Sequence, residues 1–304
     1  MILTVSERTD IPAFYSEWFF ERLQAGFCDV RNPFSKKITR ISLRKEDVDA
    51  FIFTTKNPLP MFSRLDELNG YPCLFQITIT PYDRTIEKNV INKNMIIDGF
   101  KYLSKRYGKH ACILRYDPIL LNDRYTIEEH EVAFRYCISQ LHEYTDLCIF
   151  SFVSMYKNTK SHQHSLKIKQ WDQQTINQVA FMLSTVAKEY GIRLQCCASK
   201  YDLSRYGIAQ AACINNQIIS RLLNYQVDYE SVSKRENCSC ITHRDIGAYN
   251  SCMHLCTYCY ANYDEKIIQE NIKRHNLHSS LLLGEIEEDE LDSLLHKETQ
   301  LRLF

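Results

Sequence analysis

Ala111-Cys-Ile-Leu-Arg-Tyr-Asp-Pro118 is a short apolar run that turns polar at its end. A run of this length reads as a buried strand over Ala111–Tyr116. Ile2–Ser6, Ala50–Thr54, Cys73–Thr80, Leu147–Val153 and Arg193–Cys197 repeat the pattern, rich in Ile, Phe, Thr and Val as strands buried on both faces are. Between them lie helix-like segments: Phe14–Gln24, Leu59–Leu68, Lys93–Arg106, Ile127–Glu143 and Thr175–Tyr190. Glu128, Glu129 and Glu131 suit the start of the fourth helix. Gly26, Gly108 and Gly191 fall at or just past helix ends, where a left-handed cap is expected. Repeated βα units predict a parallel sheet. Six strands with two weaker ones, Ile38–Leu43 and Ala211–Ile214, suit a TIM-like βα barrel over residues 1–230; an open doubly wound sheet is the alternative. Residues 231–304 then form a cysteine-rich C-terminal segment and tail.

The chain has 304 residues, 37 basic and 37 acidic, and 45% hydrophobic residues. Zero formal charge gives no electrostatic ground for binding nucleic acid or an anionic membrane surface. No stretch approaches a membrane span, and the N-terminus lacks the basic and apolar regions of a signal peptide. Thirteen cysteines, an odd number, with no secretion signal, fit a reducing cytoplasm in which thiols are free or metal-bound.

In a barrel, chemistry sits on the loops that follow the strands. Those loops carry Arg8 and Asp10, Lys56, Thr78 and Thr80, Arg115 and Asp117, and Ser151, Ser154, Tyr156 and Lys157. Arg8, Asp10, Lys56, Arg115 and Asp117 are therefore expected on one face, where Arg forks grip a carboxylate or phosphate and Asp holds hydroxyls. The plainer reading is that Arg and Asp pair with one another to satisfy loop backbone, with Asp-Pro as a turn starter.

Cys252, Cys256 and Cys259 are spaced CxxxCxxC, with Cys238 and Cys240 just upstream. Five thiols within such a short stretch point to a metal, and thiolate selects zinc, Cu(I) or iron–sulfur clusters. Three ligands to a 4Fe-4S cluster leave one iron open, whereas structural zinc takes two CxxC-like pairs. Cys197 and Cys213 either pack as small core residues or join Cys238 and Cys240 in a second set of four ligands. A third arrangement lets Cys238 or Cys240 close a four-thiolate site with the triad. Cys28, Cys73, Cys112, Cys137 and Cys148 have apolar neighbours and read as packing.

The triad, with Tyr258 before its last cysteine, resembles the cluster motif of radical S-adenosylmethionine (SAM) enzymes, although here it follows the strands. The whole chain resembles an uncharacterised prokaryotic domain-of-unknown-function family, numbered eighteen forty-eight. The resemblance runs through S-E-R-T-D-I-P at 6–12, T-K-N-P at 55–58, R-Y-D-P at 115–118, S-F-V at 151–153, C-A at 197–198, D-L-S-R-Y-G-I at 202–208 and D-I-G-A-Y-N-S-C-M-H-L-C-T-Y-C-Y-A-N at 245–262. It implies a C-terminal cysteine cluster like that of radical SAM proteins and no established reaction. The chain departs by lacking a tryptophan at Thr54 or Thr55, and it has no Gly-Gly-Glu, the usual aid to binding the SAM amine. The expectation is a radical-SAM-like oxidoreductase or lyase. It would act on a small or medium polar molecule, with an electron donor such as a ferredoxin or flavodoxin. The rivals are an electron-transfer protein with a fully ligated cluster and a zinc-stapled binding module.

Overall fold

A computed structural model describes residues 1–154, 165–232 and 238–290. Tyr156 and Lys157, and residues 233–237 and 291–304 of the expected C-terminal segment and tail, lie outside the described residues.

Eight parallel strands form one sheet. They are β1 (Ile2–Thr4), β4 (Ala50–Thr55), β5 (Cys73–Thr78), β6 (Cys112–Ile119), β7 (Leu147–Phe152), β8 (Arg193–Cys196), β9 (Ala209–Gln210) and β10 (Arg244–Asp245). Their order is β10-β1-β4-β5-β6-β7-β8-β9. All six strong strand expectations hold, with ends shifted by no more than three residues. Of the weaker two, Ile38–Leu43 is instead part of a separate antiparallel hairpin, β2 (Phe27–Arg31) with β3 (Ile38–Ser42). Its alternation leaves Arg40 free to pair with Asp29 and lie over the Phe27 ring. Ala211–Ile214 is not a strand; the two-residue β9 lies just before it.

The sheet does not close by a ladder among the described residues. Its edge strands β9 and β10 are two residues long. The chain leaving β9 and the chain entering β10 meet at a backbone hydrogen bond, Ile241 N to Ile214 O at 3.1 Å. The cysteine-rich segment is woven into this sheet, because β10 comes from it and pairs with β1 through Leu3–Arg244 and Thr4–Asp245.

Alternate strand residues face opposite ways, and both faces are apolar. One set, including Leu3, Phe53, Phe75, Leu114 and Phe150, packs under the helices. Each large side chain so buried contributes about 1.5–3 kcal/mol. The other set, Ile2, Ile52, Leu74, Ile113 and Ile149, packs around Ile214, Ile218 and Ile241.

The helices are α1 (Ile11–Phe14), α2 (Ser16–Ala25), α3 (Lys93–Tyr107), α4 (Ile127–Leu141), α5 (Gln173–Glu189), α6 (Asn216–Leu223) and α7 (Glu265–Lys273). Side-chain caps start most of them: Asn92, Thr126, Asp172, Asn215 and Asp264 each accept from the first turn. Leu59–Leu68 winds as a 3-10 helix, with prolines at its start. The stretch expected as one helix at 14–24 is broken at Tyr15, whose hydroxyl reaches Ser251 O at 2.7 Å. No described helix is long and apolar enough to cross a membrane.

Candidate functional site

The segment 250–262 closes on itself and docks on the loops after β1, β4 and β5. Asn250 N reaches Ala261 O, and Asn262 Nδ2 reaches Cys252 O. Thr257 N bonds Ile86 O and Asn89 N bonds His254 O, while Cys256 bridges Glu87. Leu255 sits at φ +53°, in the left-handed region, which turns the chain between the first two cysteines of the triad. The cysteines thereby meet the same face as the polar strand ends.

Asp10 fastens this arrangement. Its carboxylate caps α1 at Ala13 N, accepts from Lys56 N at 2.8 Å and accepts from His254 Nε2 at 2.9 Å. Arg8 ties the β1 loop to β10 through the carboxylate and carbonyl of Asp245. Both residues stand where the sequence reading puts them, and both are occupied in holding the frame.

Lys56 points to Glu87, with Nζ–Oε1 at 2.7 Å, and lies over the Tyr258 ring. Glu87 also takes hydrogen bonds from Lys93, Thr80 Oγ1 and Tyr258 Oη. Burial alone would raise its carboxyl, but Lys56 and Lys93 hold it down to about 2. Sequence reasoning missed Glu87 and Lys93. Glu87 lies in an irregular stretch with no apolar period, and its partners come from four separate places in the chain.

Arg115 is buried on the opposite face of the sheet from the helices. Its guanidinium bonds Gln76 Oε1 at 2.9 Å and the Asp117 carboxylate, which also accepts from Ser151. Burial works against its charge, but Asp117, Cys213 and Cys197 more than offset that and keep it cationic. The Asp117–Pro118 peptide is cis. Lys56 feels both Cys256 and Asp117, so the Lys56–Glu87 and Arg115–Asp117 pairs border one region.

The cysteines read as candidate ligands divide into two groups. Cys252, Cys256 and Cys259 lie by the β1, β4 and β5 loops. Burial pushes all three thiols up; among the further influences, Cys252 feels Asp10 and both its companions, and Cys256 feels Glu87 and Lys56. Cys240 stands instead with Cys213, Sγ to Sγ 3.6 Å, and Cys197 lies close enough to influence the Cys213 thiol. Cys238 packs beside them. Cys28, Cys73, Cys112 and Cys148 lie in the apolar core under the helices, as expected for packing residues.

Among the described residues, no three His, Cys, Asp or Glu side chains as they lie are arranged to hold a metal ion. Three buried polar atoms without a partner, Ser6 Oγ, Thr9 Oγ1 and His254 Nδ1, nonetheless belong to the β1 loop and the cysteine segment. A buried polar atom left unpaired is costly, so this is a place where a ligand would repay desolvation. The donor set around it, three thiols and an imidazole, suits a soft metal.

A parallel βα sheet with polar strand ends defines an α/β protein, with its cysteine loop docked at the C-terminal ends of the strands. The chain belongs to the family described as Domain of unknown function (DUF1848), whose model matches residues 2–261. No curated protein matches it. One solved structure that aligns is of a provisionally assigned alpha-L-fucosidase from Bacteroides thetaiotaomicron VPI-5482, at 10% identity and TM-score 0.25. The alignment covers 72% of this chain and 88% of that one. At that score the likeness bears on neither fold nor activity.

Proposed function

We propose that this protein is an iron–sulfur enzyme of radical-SAM-like type, acting in the cytoplasm on a small or medium polar molecule. The observation that carries the reading is the seating of the CxxxCxxC thiols beside the Lys56–Glu87–Tyr258 group at the strand ends. In this reading the eight strands are an incompletely closed TIM-like barrel, and the cysteine loop covers its mouth. Cys252, Cys256 and Cys259 would hold a 4Fe-4S cluster. Such a cluster, with SAM bound and one electron from a ferredoxin or flavodoxin, would supply reductive cleavage of the SAM sulfonium to methionine and an adenosyl radical able to abstract hydrogen.

The chain's own groups have narrower tasks. Asp10 and His254 hold the loop to the β1 and β4 ends. Lys56 gives a cation beside thiolates that would otherwise be buried without a counter-charge. Arg115 and Asp117 offer a guanidinium edge and a carboxylate to the carboxylate and hydroxyl groups of SAM or substrate. Glu87 keeps Lys56 charged and fixed.

Anaerobic reconstitution with iron and sulfide tests this, followed by an assay for 5′-deoxyadenosine from SAM under dithionite. About four iron and four sulfide per triad, with 5′-deoxyadenosine formed, support it. Iron and sulfide with no SAM cleavage favour an electron-transfer protein. One zinc and no acid-labile sulfide at the triad favour a stapled binding module.

A further inference from the structure

We propose that Cys197, Cys213, Cys238 and Cys240 form a second thiolate metal site, separate from the CxxxCxxC triad and beside Arg115.

The spacing is the first argument. Cys213 Sγ and Cys240 Sγ are 3.6 Å apart. Two thiolates on one tetrahedral zinc at about 2.3 Å each stand about 3.8 Å from one another, and sulfurs on one iron are similarly placed. Cys197 lies near the same thiol, close enough to influence it. Cys238 lies two residues from Cys240, in the same apolar cluster. Two thiols are thus at ligand spacing; Cys197 and Cys238 complete the set by turning about their Cα–Cβ bonds.

The backbone supplies the second argument. The four cysteines come from three chain segments: the exit of β8, the stretch after β9 and the lead into β10. Hydrogen bonds pin each of them. Cys197 N bonds Phe150 O at 2.9 Å, and Gln76 Nε2 bonds Cys213 O at 2.7 Å. Cys240 O accepts from Val232 N at 2.8 Å, and the next residue, Ile241, bonds Ile214 O. A site built on fixed strand ends is what a preorganised ligand set requires. Cys213 and Cys240 lie next to where the chain leaving β9 meets the chain entering β10, so a metal there joins segments that the ladder leaves open.

Charge is the third argument. Four thiolates on a divalent ion, or on a cluster, leave net negative charge in an apolar setting, which needs a cation. Arg115 is that cation: its charge acts on both Cys213 and Cys197, while Gln76 and Asp117 hold its two amino groups.

The inference does not depend on the function proposed for the triad. It is tested with the full chain and two variants, Cys252→Ala/Cys256→Ala/Cys259→Ala and Cys213→Ser/Cys240→Ser. Each is freed of metal anaerobically and offered Zn(II) alone or Fe(II) with sulfide, then desalted and analysed for metal and sulfide. The triad variant is expected to keep one tightly held centre, either about one zinc or an iron–sulfur cluster. The Cys213/Cys240 variant loses that centre and keeps whatever the triad binds. Zinc without iron in the triad variant, or the reverse, says which metal occupies the site. A triad variant that retains no metal in either arm overturns the proposal. So does a Cys213/Cys240 variant with wild-type metal content.

Should the serine variant fail to fold, Co(II) added to the triad variant gives an independent reading. An intense thiolate-to-cobalt charge-transfer band is expected, and its absence overturns the proposal. If wild type holds no iron yet the triad variant holds zinc, the iron–sulfur reading of the triad falls while the second site stands. If wild type holds iron and the triad variant no metal, the second site falls alone.

Discussion

Lys56 Nζ stands 2.7 Å from Glu87 Oε1, and the Tyr258 hydroxyl of the cysteine loop donates to the same carboxylate oxygen. Glu87 is fully enclosed, yet it meets two ammonium groups and two hydroxyls. That is a complete set of partners for a buried carboxylate. The pair therefore joins the β4 and β5 ends to the docked loop and fixes where the cation beside Cys256 points.

Its titration has a definite sign. The Glu87 carboxyl titrates at about 2 in the folded chain against an ordinary 4.5. A depressed carboxyl stabilises the fold fully above the ordinary value, and this is lost as pH falls from about 4.5 towards 2. The effect is on the order of 3 kcal/mol. We expect Glu87→Gln to be less stable than wild type at pH 7 in urea, with the gap narrowing steadily through that window. A gap independent of pH would mean that the carboxylate charge is not what stabilises this corner.

Much of the sheet was legible because buried parallel strands carry their signal locally: Cys73–Thr78 or Leu147–Phe152 is apolar whatever surrounds it. Strands β9 and β10 were not, since two residues give no pattern, and pairing with β8 and β1 alone defines them. Arg8, Asp10, Lys56, Arg115 and Asp117 were legible as strand-end polar groups, though not the division of labour among them. Their partners Asp245, His254, Glu87 and Gln76 are set by tertiary contacts 31 to 244 residues away. The spacing of the triad was local and readable. The grouping of Cys240 with Cys213 was one of several arrangements open in the sequence, and the fold picks it out.

Asp10→Asn tests the hinge of the cysteine loop. Asp10 accepts three hydrogen bonds, and an amide in its place turns one acceptor into a donor that faces other donors. A loss of about 1–3 kcal/mol is expected, by chemical denaturation. The loop should also open more often, so Cys252, now buried, would be alkylated faster by iodoacetamide, as read by mass spectrometry of the peptide. Unchanged labelling with lowered stability would show that the loop is held by its backbone contacts to Ile86 and Asn89 instead.

Cys252→Ala/Cys256→Ala/Cys259→Ala should leave the helices in place. Six of the seven described helices and all ten described strands precede the triad, and the loop is held by Asp10, Tyr15, Ile86 and Asn89 rather than by the thiols. Circular dichroism of the soluble variant is expected to match wild type closely. A variant recovered only as insoluble, unfolded chain would make the triad a folding element.

The Arg115–Asp117 pair is the sharpest test of whether the strand-end charges act as a unit. Arg115 and Asp117 are both largely buried, so removing one leaves the other without its counter-charge. Arg115→Met is expected to cost about 3–5 kcal/mol in urea unfolding, and Asp117→Asn a similar amount. In the double variant neither charge remains, and the amide that replaces the Asp117 carboxylate can still accept from Ser151. Its loss should therefore fall short of the sum by about 1–3 kcal/mol. Arg115→Lys should not rescue the single change. A point charge cannot meet Gln76 and Asp117 together, as the planar guanidinium does. Additive losses would mean that the two side chains are held separately, by Gln76 and Ser151. The pair would then be a poor place to look for the groups that grip a bound molecule.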